Sequence, residues 1–102
     1  MEIKMEVGTV HEINITVEES MTAASMKSGN LQVLATPYMI ALMEQASAEL
    51  CQKFLPDGIS TVGTMVNIQH LAATSLGAPV SAVATLTDFD GRKASFTKNS
   101  FA

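Results

Sequence analysis

The sequence predicts an α+β domain in which one long helix is wrapped by an antiparallel β-sheet. Three features carry this reading. Apolar residues alternate over residues 13–17, a helical pattern runs from Thr36 to about Phe54, and the period returns to two from Ile59 onward. A strand followed by a long helix and then by consecutive strands is the order of an α+β arrangement, not of a parallel α/β one.

Residues 7–17 read as the first strand, with Ile13, Ile15 and Val17 alternating against Asn14 and Thr16. Residues 18–30 are mixed and close on Ser28-Gly29-Asn30, a turn signal, after which Leu31 to Leu34 form a short extended approach. Thr36-Pro37 opens the helix. Threonine suits an N-cap because its hydroxyl accepts from a first-turn N–H, and proline at the next position has no N–H to leave unpaired. Pro56-Asp57-Gly58 ends it. Gln45, Glu49, Gln52 and Lys53 form a narrow polar stripe, with Ile40, Met43, Ser47, Leu50 and Phe54 roughly opposite, so most of the helix surface is expected to be covered.

Beyond Ile59, Thr64, Val66, Ile68 and His70 share one face of a strand, and Met65, Asn67 and Gln69 share the other. A break at Ser75 to Pro79 precedes a strand from Val80 to Thr87. Asp88-Phe89-Asp90-Gly91 reads as a hairpin turn with the glycine at positive φ, and Lys93 to Thr97 begins the return strand.

At 102 residues the chain is read as one domain, near the small end of what buries its own core. It is 47% hydrophobic and 16% charged, too apolar for disorder, and it has no run of about 18 apolar residues of the kind that crosses a membrane. The start of the chain lacks the basic and apolar regions of a signal peptide. A single cysteine, Cys51, makes no internal disulfide and falls on the covered side of the helix, which fits a reducing cytoplasm. A net charge of −4 with only six basic residues argues against nucleic acid and leaves room for a small anionic ligand. Seven methionines against five aromatics point to a deformable core or an apolar pocket.

Two ionisable residues fall on unexpected faces. Glu44 sits mid-helix away from the polar stripe. Its neighbours one turn away, Ile40, Ala41, Ser47 and Ala48, offer it no ion pair. A carboxylate on a covered flank needs a partner from elsewhere. His70 follows Val66 and Ile68 on the apolar face of its strand, and histidine is the natural acid/base near neutral pH. Each has an ordinary explanation: a lone core histidine, an interface glutamate, a capping threonine at Thr36. Their conjunction in one small domain favours a site, and a helix N-terminus suits a developing oxyanion. No GxGxxG or P-loop pattern, metal-spaced Cys/His cluster or G-x-S-x-G elbow occurs.

Two stretches resemble a known group. Gly29-Asn30-Leu31-Gln32-Val33-Leu34-Ala35-Thr36-Pro37-Tyr38-Met39-Ile40-Ala41-Leu42-Met43-Glu44 is similar to the fluoroacetyl-CoA thioesterase-like branch of the hotdog-fold superfamily. So is Gly63-Thr64-Met65-Val66-Asn67-Ile68-Gln69-His70-Leu71-Ala72-Ala73-Thr74, followed by Gly77. The likeness covers roughly residues 9–97. It implies a hotdog fold, a homodimer or higher homo-oligomer that pairs edge strands, sites at the subunit interface, and hydrolysis of a short acyl-CoA thioester without metal or other cofactor. On this resemblance Thr36 orients the reacting groups or contacts the thioester. Glu44 is nucleophile or water-directing base, and His70 is its acid/base partner. Gly63, Asn30 and Thr64 contact the substrate, Gly63 by allowing close approach of the acyl group. The dehydratase-type His-x-x-Gly-x-Pro pattern is absent around His11 and His70.

The family's pattern continues past the Asp90-Gly91 hairpin with a full return strand and one more strand, whereas this sequence stops at Ala102. A sheet lacking its usual last strand is therefore expected, either because the chain is truncated or with subunits rearranged to fill the gap. Two functions follow as alternatives: a thioesterase, or a non-catalytic acyl-CoA-binding or oligomeric assembly module that has lost activity through C-terminal truncation.

Overall fold

The computed structural model describes residues 3–61 and 74–101, with 97–101 given by backbone alone. Strand β1 (Val10–Thr16) leads through a 3-10 turn at Glu19–Met21 and a single helical turn, α1 (Ala23–Met26), to the long helix α2 (Thr36–Gln52). Strands β2 (Pro79–Phe89) and β3 (Ala94–Phe101) complete the described elements. The three strands form one antiparallel sheet in the order β1-β2-β3. A long helix on an antiparallel sheet is what the alternation and the helical stretch predict.

β1 is shorter than residues 7–17 because Val7 and Gly8 form a turn, where Gly8 takes φ +96, although Gly8 and Thr9 each keep one backbone bond to Leu86 of β2. In β1, His11, Ile13 and Ile15 point towards the helix side and are half-buried, while Val10, Glu12, Asn14 and Thr16 are exposed. On β2 the inward residues Val80, Ala82, Ala84 and Leu86 are fully buried. Two alanines in that row, facing Ala46 on α2, leave little side-chain bulk between helix and sheet, so the backbones approach closely and Leu34, Leu42, Met43 and Leu50 fill the flanks.

The β2–β3 connection differs from the expected turn. Leu86 and Asp88 flank a bulge, β2 continues to Phe89, and the turn moves two residues on, to Asp90–Lys93. The cause is local. The Asp90 carboxylate accepts the backbone N–H of Arg92 at 2.9 Å and of Lys93 at 2.6 Å, and Gly91 takes φ +97, which side chains resist. Those two backbone donors, Lys93 first, hold the Asp90 carboxyl below the usual aspartate range.

Helix α2 also begins one residue earlier than expected. Ala35, extended at φ −70 and ψ 138, is the N-cap: its carbonyl already accepts the first intrahelical bond, from Met39 N–H at 3.0 Å. Thr36 and Pro37 are the first two helical residues, and proline suits this place because its ring fixes φ near the helical value. The helix ends at Gln52 with Lys53 as C-cap, two residues short of Phe54, as fraying ends allow.

The expectation that most of α2 is covered does not hold for this chain. Met39, Leu42, Met43, Ala46, Ser47, Leu50 and Cys51 are buried, whereas Ala41, Glu44, Gln45, Ala48 and Glu49 are exposed. The described sheet lies against one flank only, so the small residues that look coverable in the sequence remain in the open. Ile40 and Phe54, expected opposite the polar stripe, are only half-buried.

Pairing places the helix along the sheet. Thr16 opposes Pro79, Val17 exchanges backbone bonds with Gly77 and Ala78, and Val33 bridges Ser75, so the start of α2 lies at this near end. At the far end Gly8 N–H donates to the Leu86 carbonyl, and His11 reaches Glu49 in the last turns of α2.

Candidate functional site

The near end is built by a strap, residues 22–35, that folds back on itself before entering α2. Its base is fully buried at Thr22, Leu34 and Ala35. The Thr22 hydroxyl donates to the Glu19 carbonyl at 2.8 Å and accepts the Ser25 N–H at 3.3 Å, capping α1. Ala23 N–H donates to the Val33 carbonyl at 2.8 Å, Ala35 N–H to the Met21 carbonyl at 2.9 Å, and Leu34 N–H to the Thr74 carbonyl at 2.7 Å. These bonds hold the first turn of α2 against residue 74. Asn30 lies at the strap's exposed tip.

Thr36 is exposed in the first turn of α2. Glu44 follows eight residues later, about 12 Å along the axis. Pro37, Ala41, Glu44 and Ala48 recur at helical spacing as one exposed stripe, and the two alanines leave the Glu44 carboxylate open to approach. Among the described residues it has no hydrogen-bond or ion-pair partner. The covered flank expected for Glu44 is therefore corrected: within this chain it faces outward. The reason is its position 100° around the helix from buried Met43. His70, Gly63 and Thr64 lie outside the described residues. Of the six expected site residues, Asn30, Thr36 and Glu44 are placed, all exposed, on the strap and the helix it leads into.

A second polar constellation sits on the far half of α2. The His11 Nε2 lies 2.8 Å from Glu49 Oε1, and Gln45 Nε2 donates to Glu49 Oε2 at 2.8 Å. The Gln45 amide first, then His11, holds the Glu49 carboxyl below the usual glutamate range. The sequence separates His11 from Glu49 by 38 residues. The readable signal was His11 standing in line with Ile13 and Ile15 on one strand face. The trio ties the edge of β1 to α2 at the periphery of the core. Among the described residues no three His, Cys, Asp or Glu side chains could hold a metal ion, and no helix is long and apolar enough to cross a membrane.

This geometry has known counterparts. A hot-dog-like protein from Thermanaerovibrio acidaminovorans superposes with a TM-score of 0.82 at 23% identity, over 92% of this chain and 70% of that one. At that identity it shows the fold alone, and the hotdog expectation holds. A variant of the fluoroacetyl-CoA-specific thioesterase FlK, solved with fluoroacetate and CoA, superposes with a TM-score of 0.89 at 27% identity, over 95% of this chain and 82% of that one. The fluoroacetyl-CoA thioesterase of Streptantibioticus cattleyicolor is 35% identical over 65 residues, 64% of this chain. The match spans 47% of that relative, about half its length. The family model described as fluoroacetyl-CoA-specific thioesterase matches residues 17–101, from the start of the strap's approach through β3, and on that match the chain belongs to the FlK family.

Proposed function

We propose that this chain hydrolyses a short-chain acyl-CoA thioester to the free acid and CoA. The observation that carries the reading is the open Glu44 carboxylate on the α2 stripe, two turns beyond Thr36, in a chain of the FlK family. An exposed carboxylate flanked by alanines, with no partner among the described residues, is accessible to a substrate carbonyl or to the water that attacks it.

In the proposed reaction an oxygen from Glu44, or from water directed by Glu44, adds to the thioester carbonyl. The C–S bond then breaks, and the sulfur leaves as the CoA thiol once protonated by His70; where Glu44 itself has added, water then hydrolyses the acyl–Glu44 anhydride, releasing the acid and restoring the carboxylate. Thr36, in the first turn of α2, orients the reacting groups beside the positive end of the helix. Asn30, Gly63 and Thr64 contact the substrate. His70 stands four residues before Thr74, whose carbonyl is bonded to Leu34 two residues ahead of Thr36, which supports His70 as a member of the same site. The outward face of Glu44 supports a second subunit as the missing cover, so we assign the active form as a homodimer with the site at its interface. The single buried thiol Cys51 fits the reducing cytoplasm we assign to it.

Thiol release from acetyl-, fluoroacetyl- and propionyl-CoA tests the reading. Turnover on at least one, falling by about two orders of magnitude or more in Glu44→Ala, is the expected result. No turnover on any of them, or undiminished turnover in Glu44→Ala, would overturn it.

A further inference from the structure

The strap brings exposed apolar side chains and a cation together next to the candidate site; the other exposed large hydrophobics, Val7 and Val10, lie beside the Gly8 turn at the far end. Residues 24–32 are all exposed, although the base beneath them is fully buried. Leu31 is 66% exposed and Met26 40%. Leu76, 43% exposed, is brought alongside by its N–H bond to the Gln32 carbonyl at 3.3 Å. Backbone bonds rather than side-chain burial hold the tip: Ala24 N–H donates to the Leu31 carbonyl at 3.1 Å, and Lys27, at φ 59, ends α1 with its N–H on the Ala24 carbonyl. Side chains this apolar are thus left free of a structural task within the chain.

Among the described residues Lys27 enters no ion pair. The other cations with described side chains are Lys4, Lys53, Arg92 and Lys93. Lys53 caps the opposite end of α2, and Arg92 and Lys93 lie in the far hairpin. Lys4 precedes the Gly8 turn that bonds to Leu86 at the far end. Six residues of chain, at most about 20 Å, separate Asn30 from Thr36.

We propose that the strap tip is the coenzyme-binding element of the candidate site: Leu31 and Leu76 line the pantetheine arm, and Lys27 takes the phosphates at its far end. The proposal rests on the acyl-CoA reading above. An acyl-CoA bound with its thioester at Thr36 extends an uncharged, partly apolar arm that ends in a strongly anionic group. The strap presents surfaces in the same order, apolar and then cationic, in a chain whose net charge of −4 otherwise repels such a ligand. Met26 adjoins the cation and extends the apolar rim.

The test compares acyl-CoA with the matching acyl-pantetheine thioester, which has the arm but no phosphates. Lys27→Glu is expected to raise KM for acyl-CoA about three- to tenfold, with kcat unchanged. The effect should shrink at high salt, and acyl-pantetheine should show no change. Leu31→Ser is expected to raise KM for both substrates, and Lys53→Glu, at the other end of the helix, for neither. Equal effects of Lys27→Glu on the two substrates, or none on either, would overturn the proposal. So would a Leu31→Ser variant that changes the oligomeric state and leaves both KM values alone, which would make the patch a protein interface. Calorimetric binding of CoA itself separates this proposal from the hydrolysis reading. A chain that binds CoA, more weakly in Lys27→Glu, but turns over nothing retains the strap assignment and loses the thioesterase one. A wild-type chain that neither binds CoA nor turns over substrate loses both.

Discussion

Glu44 and Glu49 stand five residues apart on one helix and have opposite surroundings. Glu49 is held by Gln45 and His11 and stays ionised to lower pH than a free glutamate, while Glu44, between Ala41 and Ala48, has no partner among the described residues. A fixed carboxylate is a clip and an open one is available for chemistry. Glu44→Ala is accordingly expected to leave thermal stability within about 0.5 kcal/mol of wild type while removing turnover, read by thermal melting alongside thiol release. Asp90 offers a pH test of the same kind. Its folded carboxyl sits below the ordinary value, so it takes up its proton at lower pH than in the unfolded chain. The stabilisation is present above the ordinary aspartate range of about 3.9 and is lost as pH falls through the folded value. Wild type should therefore exceed Asp90→Asn in denaturant stability at pH 5–7, with the gap closing below about pH 4. A gap that persists unchanged at the lowest pH where both variants still fold would show that the turn does not depend on the charge.

At the scale of elements, α2 and β2 make the core together, and the alanines decide how. Val80, Ala82, Ala84 and Leu86 form the inward row of β2 against Leu42, Ala46 and Leu50 of α2, all fully buried. Leu50→Ala removes a side chain with no exposed area and is expected to cost about 2–5 kcal/mol in chemical denaturation. Ala84→Leu should be destabilising for the opposite reason, by about 1–3 kcal/mol, because the close helix–sheet approach leaves no room for added methylenes. The strap behaves differently. Its tip contributes exposed residues, so Leu31→Ser should leave stability nearly unchanged.

The whole molecule is elongated, 47 by 22 by 22 Å, with a Cα radius of gyration of 14.8 Å. A compact chain of this length has about 13 Å. One flank of the long helix faces outward in this shape, and it carries Ala41, Glu44 and Ala48, side chains small enough for another subunit to approach. Sedimentation over a range of concentrations is expected to show a dimer, and a bulky charge introduced as Ala48→Arg should shift it towards monomer. A monomer at every concentration would contradict the proposed interface site.

How much was legible in the sequence varies with the range of the interaction. The α2 segment and its termination before Pro56, the alternation in β1, the strand that begins near Val80, the burial of Cys51 and the left-handed Gly91 were all readable, because each depends on neighbours within a turn or a strand period. The family likeness at residues 29–44 was readable for the same reason, being a contiguous pattern. Three features were decided only by the tertiary structure. The N-cap fell to Ala35 rather than Thr36 because the strap's bonds to Met21 and Thr74 set where the extended chain ends. The outward face of Glu44 depends on which flank of α2 the sheet covers, and periodicity alone gives two candidate flanks for a helix rich in alanine. The pairing of His11 with Glu49, and of Leu76 with the strap, joins residues dozens of positions apart, and local pattern holds no record of such contacts. The sequence by itself determined the elements and the residue types available for chemistry; the packing of helix on sheet decided which of those residues face the same way, because burial is a property of the assembled surfaces and not of the segments.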